Sequence, residues 1–181
     1  MMRVQRFGSA PAAGAHLWEA KAHMRIEHND EDAAIATMLG AATRDLEQYA
    51  GIALLTQTIR LGLSGWPSTG IINLPIGPVQ NDASVTVLMK GQTFDWFRVL
   101  PSARAQLFLV GRWTPDLGAA DLVIEYPAGF GTIEDVPEDL RLAVMDQVAA
   151  LYDARGTGDP KTIAMSPHAA RIAARYRGVR L

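Results

Sequence analysis

VPEDLRLAVMDQVAALYDAR, residues Val136 to Arg155, is the stretch from which the fold is read. Pro137 sits where a first-turn proline is tolerated, and Glu138 and Asp139 put negative charge at the positive end of the helix dipole. Arg155 followed by Gly156 marks the other end. Leu140, Val144, Val148 and Leu151 recur at helical spacing, with Met145 and Tyr152 widening the stripe, so one face is expected to be buried while Arg141 and Gln147 point elsewhere. At roughly 1.5 Å per residue this helix would run close to 30 Å, the length of a small domain. It reads as a spine, not as a catalytic element.

The partner for that spine is expected just upstream of the middle of the chain. Ile35, Leu39, Ala42 and Leu46 share a stripe within a helix from Asp30 to Ala50, opened by acidic residues and stopped by Gly51. They are expected to form a core seam with Leu140, Val144, Val148 and Leu151. A shorter amphipathic helix is expected over Ala15 to Ile26. Residues 1–14, rich in Gly, Ala, Ser and Pro and without periodicity, read as an N-terminal arm.

After Gly51 the period changes. Short strands are expected at Thr56–Leu63, Ile71–Leu74, Val85–Met89, Phe94–Leu100, Gln106–Val110 and Asp121–Tyr126, separated by turn signals such as Gly65 to Gly70 and Lys90-Gly91. Strands so closely spaced imply antiparallel pairing rather than βαβ units, with Pro75, Pro78 and Pro127 at strand ends or edges. The class is therefore α+β. A helical scaffold is expected from residues 15–51 and 132–156, with a β module inserted at 52–131.

The last segment, 157–181, has its own character. Gly156 to Pro160 reads as a flexible break, and SPHAARIAARYRG as a short helix capped by Ser166. Lys161, Arg171, Arg175, Arg177 and Arg180 are opposed by Asp159 alone, although the chain's formal net charge is −2. Arg171 and Arg175 share one helix face, Ile172 and Tyr176 another. A basic stripe beside an apolar one suggests a partner-binding arm that the rest of the chain folds without.

Composition narrows the function classes. The 181 residues are 49% hydrophobic and 20% charged, an ordinary globular balance for a chain able to bury about 70% of its unfolded surface. The absence of cysteine excludes thiol catalysis, disulfides and thiolate zinc sites. No apolar run approaches the ~20 residues of a membrane span, and the N-terminus lacks a signal peptide's apolar region, so no membrane association and cytoplasmic synthesis are expected. Among His16, His23, His28 and His168 no metal-binding spacing occurs, since His23, Glu27 and His28 fit neither HExxH nor HxxEH. Gly62 to Gly65 lacks the spacing of a nucleophile elbow, and Gly129-Phe130-Gly131, followed by four acidic residues, is a domain junction rather than a phosphate loop. Trp96, Phe97, Phe108 and Trp113 read as core or sheet-face residues. No catalytic residue, metal or cofactor is expected, and the chain does not read as an enzyme.

Taken in order, several stretches resemble one family, the head–tail connector or adaptor proteins of long-tailed phages and phage-like gene transfer agents. Glu19 to Ile26 is similar to that family's K-x-H-L-R-I helix end, and Asp30-Glu31-Asp32 to its acidic opening of the second helix. Tyr49 to Thr58 resembles its G-R-A-L-L-x-Q-T junction, with Ile52 standing where the family often has Arg. Asn73-Leu74-Pro75, Gly77-Pro78-Val79, Val123 to Phe130, Val136 to Leu140 and Tyr176-Arg177 follow in the family's order. The likeness covers about residues 16 to 181.

The resemblance implies a ring of about twelve identical copies beneath the portal of a DNA-filled head, with tail-side stopper or tail-terminator proteins on its other side. Double-stranded DNA would pass through without sequence-specific binding. The implied location is the head–tail interface of a virion or phage-like particle assembled in the bacterial cytoplasm. The portal contact would be carried by Arg171, Ile172, Arg175, Tyr176, Arg177, Arg180 and Leu181. The alternative is a small nucleic-acid-binding module using the arginine-rich tail.

Overall fold

A computed structural model describes residues 2–7, 13–80, 84–100, 102, 104–156 and 165–178. The chain divides into two units, one of Met1–Ser9 with Thr56–Gly129, the other of Ala10–Leu55 with Phe130–Leu181. The second is helical. It comprises α1 (Leu17–Met24), α2 (Asp32–Ala50), the spine and a C-terminal helix, which in chain order follow the strands.

The 3.6-residue stripe of α2 puts Ile35, Leu39, Ala42 and Leu46 inside, where they meet fully buried Leu140, Val144 and Val148 and half-buried Leu151 of the spine, Glu138–Asp153. The spine is thus about two residues shorter at each end than the capping signals suggest, with Pro137 as its N-cap. The C-terminal helix, Pro167–Tyr176, packs against both α2 and the spine and completes the core with Ala169, Ile172 and Ala173. Ile172 is only 3% exposed. The expectation that residues 157–181 form an arm apart from the folded body is therefore corrected for residues 165–176, which close the core. The break at 157–160 lies outside the described residues.

Polar side chains inside this unit hold specific backbone groups. Gln147, expected to face away from the core, is fully buried. Its Nε2 donates to Asp45 Oδ2 of α2 at 3.3 Å, and its Oε1 accepts from the Ser166 N–H at 2.7 Å, at the start of the C-terminal helix. Thr43 Oγ1 accepts from Gly14 N–H at 2.9 Å and donates to the Leu39 carbonyl at 2.7 Å. At the end of α2, Gly51 takes the left-handed conformation (φ 66°), which lets the Ile52 N–H return to the Glu47 carbonyl. The Glu47 carboxylate accepts from Leu54 N–H at 2.7 Å, and the Leu54 carbonyl accepts from Phe130 N–H. Ile52 itself is buried in the core, so no polar role exists at that position.

The other unit is antiparallel throughout. It contains β1 (Met2–Phe7), β2 (Gln57–Leu63), β3 (Ile71–Asn73), β4 (Thr86–Met89), β5 (Gln92–Thr93), β6 (Phe97–Leu100), β7 (Gln106–Leu109), the single turn α3 (Pro115–Gly118) and β8 (Leu122–Ala128). The spine and the C-terminal helix are accordingly α4 and α5. Five strands form a sheet in the order β1-β2-β8-β4-β5, and three form a second sheet, β3-β7-β6. Alternation places Leu122, Ile124, Tyr126 and Ala128 of β8 inside, in register with Ile59 and Leu61 of β2 and Val87 of β4. Pro127, expected to end a strand, lies within β8 but beyond Glu125, the last residue that β4 pairs, so its missing N–H costs that ladder nothing.

Two sequence expectations fail here. Residues 2–7 are not an unstructured arm: all six pair with β2, from Met2 opposite Leu63 to Phe7 opposite Thr58. Trp96 is not a core or sheet-face residue but lies outside the strands and is 69% exposed. Trp66 is buried instead, tilted against Phe94 at 5.6 Å, with its carbonyl accepting from Trp113 Nε1 at 2.9 Å.

Replacing Gln147 with leucine keeps the volume but strands the Ser166 N–H and removes a donor to Asp45. The loss should be about 1–3 kcal/mol, read as a lower denaturant midpoint with an unchanged slope; an unaltered midpoint would show that Gln147 pins nothing.

Candidate partner-binding surface

Helix α5 has two chemically distinct sides. Ser166 Oγ accepts from the Ala169 N–H at 3.4 Å and Pro167 supplies the preset first turn, so the helix begins where the sequence marks it. Its inner side carries Ala169, Ile172, Ala173 and Tyr176. Its outer side exposes Arg171, Ala174 and Arg175, and the exposed Arg177 follows. The seven residues nominated as portal contacts therefore separate. Ile172 and Tyr176 are engaged within the chain's own core, Arg171, Arg175 and Arg177 face out, and Arg180 and Leu181 lie outside the described residues.

Tyr176 anchors the end of the helix. Its hydroxyl donates to Asp139 Oδ1 at 2.7 Å and its ring meets Phe130 edge-on at 6.3 Å. Burial first, then the hydrogen bond to Asp139 and that carboxylate's charge, push the phenol up to about 12. The Arg175 guanidinium is 3.8 Å from the other Asp139 oxygen, with a side chain 60% exposed, so this pair is loose and solvent-screened. Arg177 lies over the Tyr49 ring at 5.3 Å. Two of the three exposed arginines thus rest against acidic or aromatic neighbours, an arrangement that aims their remaining donors outward.

Three of the four histidines pair with carboxylates. His23 on α1 bonds Asp146 Oδ1 at 3.0 Å and His168 on α5 bonds the same carboxylate's Oδ2, so Asp146 of α4 ties three helices together; His23 does not turn toward Glu27 and His28. His16 pairs with exposed Glu134 at 3.2 Å and stacks on exposed Trp18. Among the described residues no three His, Asp or Glu side chains are placed to hold a metal ion. Glu31 at the start of α2 accepts from the Tyr152 hydroxyl and pairs with Arg155, contacts that hold its carboxyl below the usual range. Among the described residues no helix is long and apolar enough to cross a membrane.

Two outcomes follow from α5 being half core. Deleting residues 165–181 should lower the melting temperature markedly, because Ala169, Ile172 and Ala173 uncover Val144 and its neighbours; a truncated chain melting like wild type would return the segment to the status of an arm. Tyr176→Phe should cost about 0.5–1.5 kcal/mol near neutral pH through the lost hydrogen bond. The folded phenol holds its proton more tightly than the unfolded one. Its contribution is therefore full below about pH 10 and is lost as pH rises toward about 12. The phenylalanine variant should lose less stability than wild type across that alkaline window, as followed by urea midpoints; parallel profiles would refute the linkage.

Comparison with known proteins agrees with this architecture. Residues 15–85 match the family described as phage gp6-like head-tail connector protein. No curated protein matches the sequence. Among solved structures, the chain resembles one from the virion of a native gene transfer agent particle, with TM-score 0.79 and 25% identity, over 98% of this chain and 96% of that one. It shares its fold with a chain in the neck of an empty gene transfer agent particle computed with C6 symmetry, with TM-score 0.77, 24% identity and coverage of 99% and 97%. The same holds for a chain in the neck of a native particle computed with C12 symmetry, with TM-score 0.75, 24% identity and coverage of 99% and 97%. The family's pattern thus runs through α1, α2 and into the β unit, and the whole fold is shared with chains of phage-like particles.

Proposed function

We propose that the chain is the structural connector of a tailed phage or gene transfer agent particle, forming a ring at the head–tail junction and joining the DNA-filled head to the tail. The observation that carries this reading is the likeness, across nearly the whole chain, to components of gene transfer agent necks. A ring of about twelve copies is in keeping with the C12 symmetry with which one such neck was computed, and a ring in general with the C6 symmetry used for another. A connector needs rigid bodies and partner surfaces rather than a reactive cluster, and the acid and histidine side chains described above are spent on tying helices together.

The portal contact is assigned to Arg171, Arg175 and Arg177, continued by Arg180 and Leu181. Guanidinium forks suit carboxylates at a desolvated interface, and each exposed pair is worth under about 1 kcal/mol, so repetition around a ring supplies the hold. The tail-side partner is a stopper or terminator protein. DNA crosses the channel without sequence readout, in keeping with a net charge of −2 instead of a basic footprint. The nucleic-acid-binding alternative gains nothing from the geometry. Arg175 rests near Asp139 and Arg177 on Tyr49, not along a phosphate-tracking groove.

Cells producing particles without this chain should accumulate DNA-filled heads and separate tails, counted by electron microscopy, and the wild-type chain should restore joining. A chain carrying Arg171→Ala, Arg175→Ala and Arg177→Ala should melt as wild type yet restore at least tenfold fewer joined particles. Joined particles in the chain's absence would overturn the function, whereas full joining by the triple variant would overturn only the arginine assignment.

A further inference from the structure

The β unit carries two unlike surfaces that the described residues leave uncovered. The first is the edge of its larger sheet. Strand β1 pairs with β2 on one side and has no strand on the other, every one of its six residues is exposed, and Met2 and Val4 alternate with Arg3. Long edges of this kind are ordinarily guarded by proline, a bulge, brevity or charge, and β1 has only the charge of Arg3 and Arg6. The opposite edge, β5, is two residues long. The second surface belongs to the smaller sheet. Its edge strand β6 exposes Leu100 and is preceded by Trp96, and beside it lies a cleft of about 420 Å³ lined by Met89, Phe94, Trp96 and Val110, with Asp95 and Arg112 as its charged residues.

We propose that these two surfaces meet between neighbouring copies of this chain: β1 of one copy adds to the β6 edge of the next, and Met2 and Val4, which share one face of β1, turn toward the Trp96 cleft at the start of β6. The proposal rests on the ring reading above and names the contact that would close the ring. Symmetry selects the occupant. Pairing β1 with β1 would be isologous and would stop at a dimer, whereas a ring of many identical copies needs two different surfaces on each copy. Of the remaining edges, β6 has four residues against three in β3 and two in β5, and it alone adjoins an exposed tryptophan. Strand addition supplies backbone hydrogen bonds, and the side chains on one face of the added strand supply fit, apolar residues against an apolar cleft.

The chain contains no cysteine, so introduced thiols report unambiguously. Val4 and Asp95 are both exposed, and replacing each with cysteine leaves the core untouched. Particles assembled with the Val4→Cys, Asp95→Cys double variant and treated with a short bis-maleimide should give a ladder of covalent multimers on a denaturing gel, while either single variant gives monomers. A Val4→Lys variant, which places a charge against the cleft, should lower the number of copies retained per particle. The copy number in untreated wild-type particles, read by mass spectrometry, tests the ring independently. Multiple copies with no ladder, or dimers from Val4→Cys alone, would overturn the proposed contact and leave the ring standing; a single copy per particle would overturn both.

Discussion

The helical unit depends on one buried amide. Gln147 of α4 is fully buried and uses both ends of its side chain, its NH2 toward Asp45 on α2 and its oxygen toward the backbone where α5 begins. An apolar residue would fill the space equally well but would leave the Ser166 N–H without that acceptor, and a stranded backbone donor costs more than a hydrogen bond returns on average. The amide therefore fixes where α5 starts. Once the start is fixed, the helical period decides which side chains turn inward, and with them which arginines are left for a partner.

The other end of α2 is handled by comparable means. Glu47 receives the Leu54 N–H on its carboxylate while its carbonyl receives the Ile52 N–H, so the segment leaving the helix is held by bonds from a single residue. Ile52 and Leu54 are buried as a consequence, and Leu54 passes its carbonyl to Phe130, where the chain returns from the β unit. A large insertion is thereby carried between two closely held backbone positions, which lets the helical core close regardless of what lies between them. The resemblance of Tyr49 to Thr58 to a family junction has this physical content: the spacing supplies a left-handed glycine, a buried apolar pair and an acid placed one helical turn upstream.

What sequence made legible was periodicity, and what it concealed was ownership. The stripes of α2, α4 and α5 were readable, as were six of the strands within a residue or three at their ends, because apolar spacing reports burial. It does not report in whose core a stripe is buried, so Ile172 and Tyr176 read as anchors for a foreign groove when they complete their own. Gln147 could have been found. It stands seven residues after Leu140 and four before Leu151, squarely on the stripe, and only its polarity argued against burial. Strand β1 was hidden by the Gly-, Ala- and Pro-rich residues that follow it, although Met2, Arg3, Val4 and Gln5 do alternate. Trp96 illustrates the converse, since aromatic character alone does not distinguish a core side chain from one presented outward.

Division of labour between the two faces of α5 carries a mechanical consequence. A contact made by a floating tail transmits force only after its slack is taken up, whereas one made from the outer face of a core helix loads the folded body at once. Arg175 and Arg177 project from a segment whose other side is held by Ile172, by the Tyr176–Asp139 hydrogen bond and, at its start, by Gln147. Pulling on those arginines would have to extract α5 from the core before the partner could separate, and that extraction exposes apolar surface worth about 25 cal/mol per Å². In the proposed portal contact, weak exposed ion pairs can then serve as the grip because the body behind them does not yield first. In the proposed ring, many such grips would be loaded together, and each would need only to outlast its neighbours' rebinding for the junction to hold.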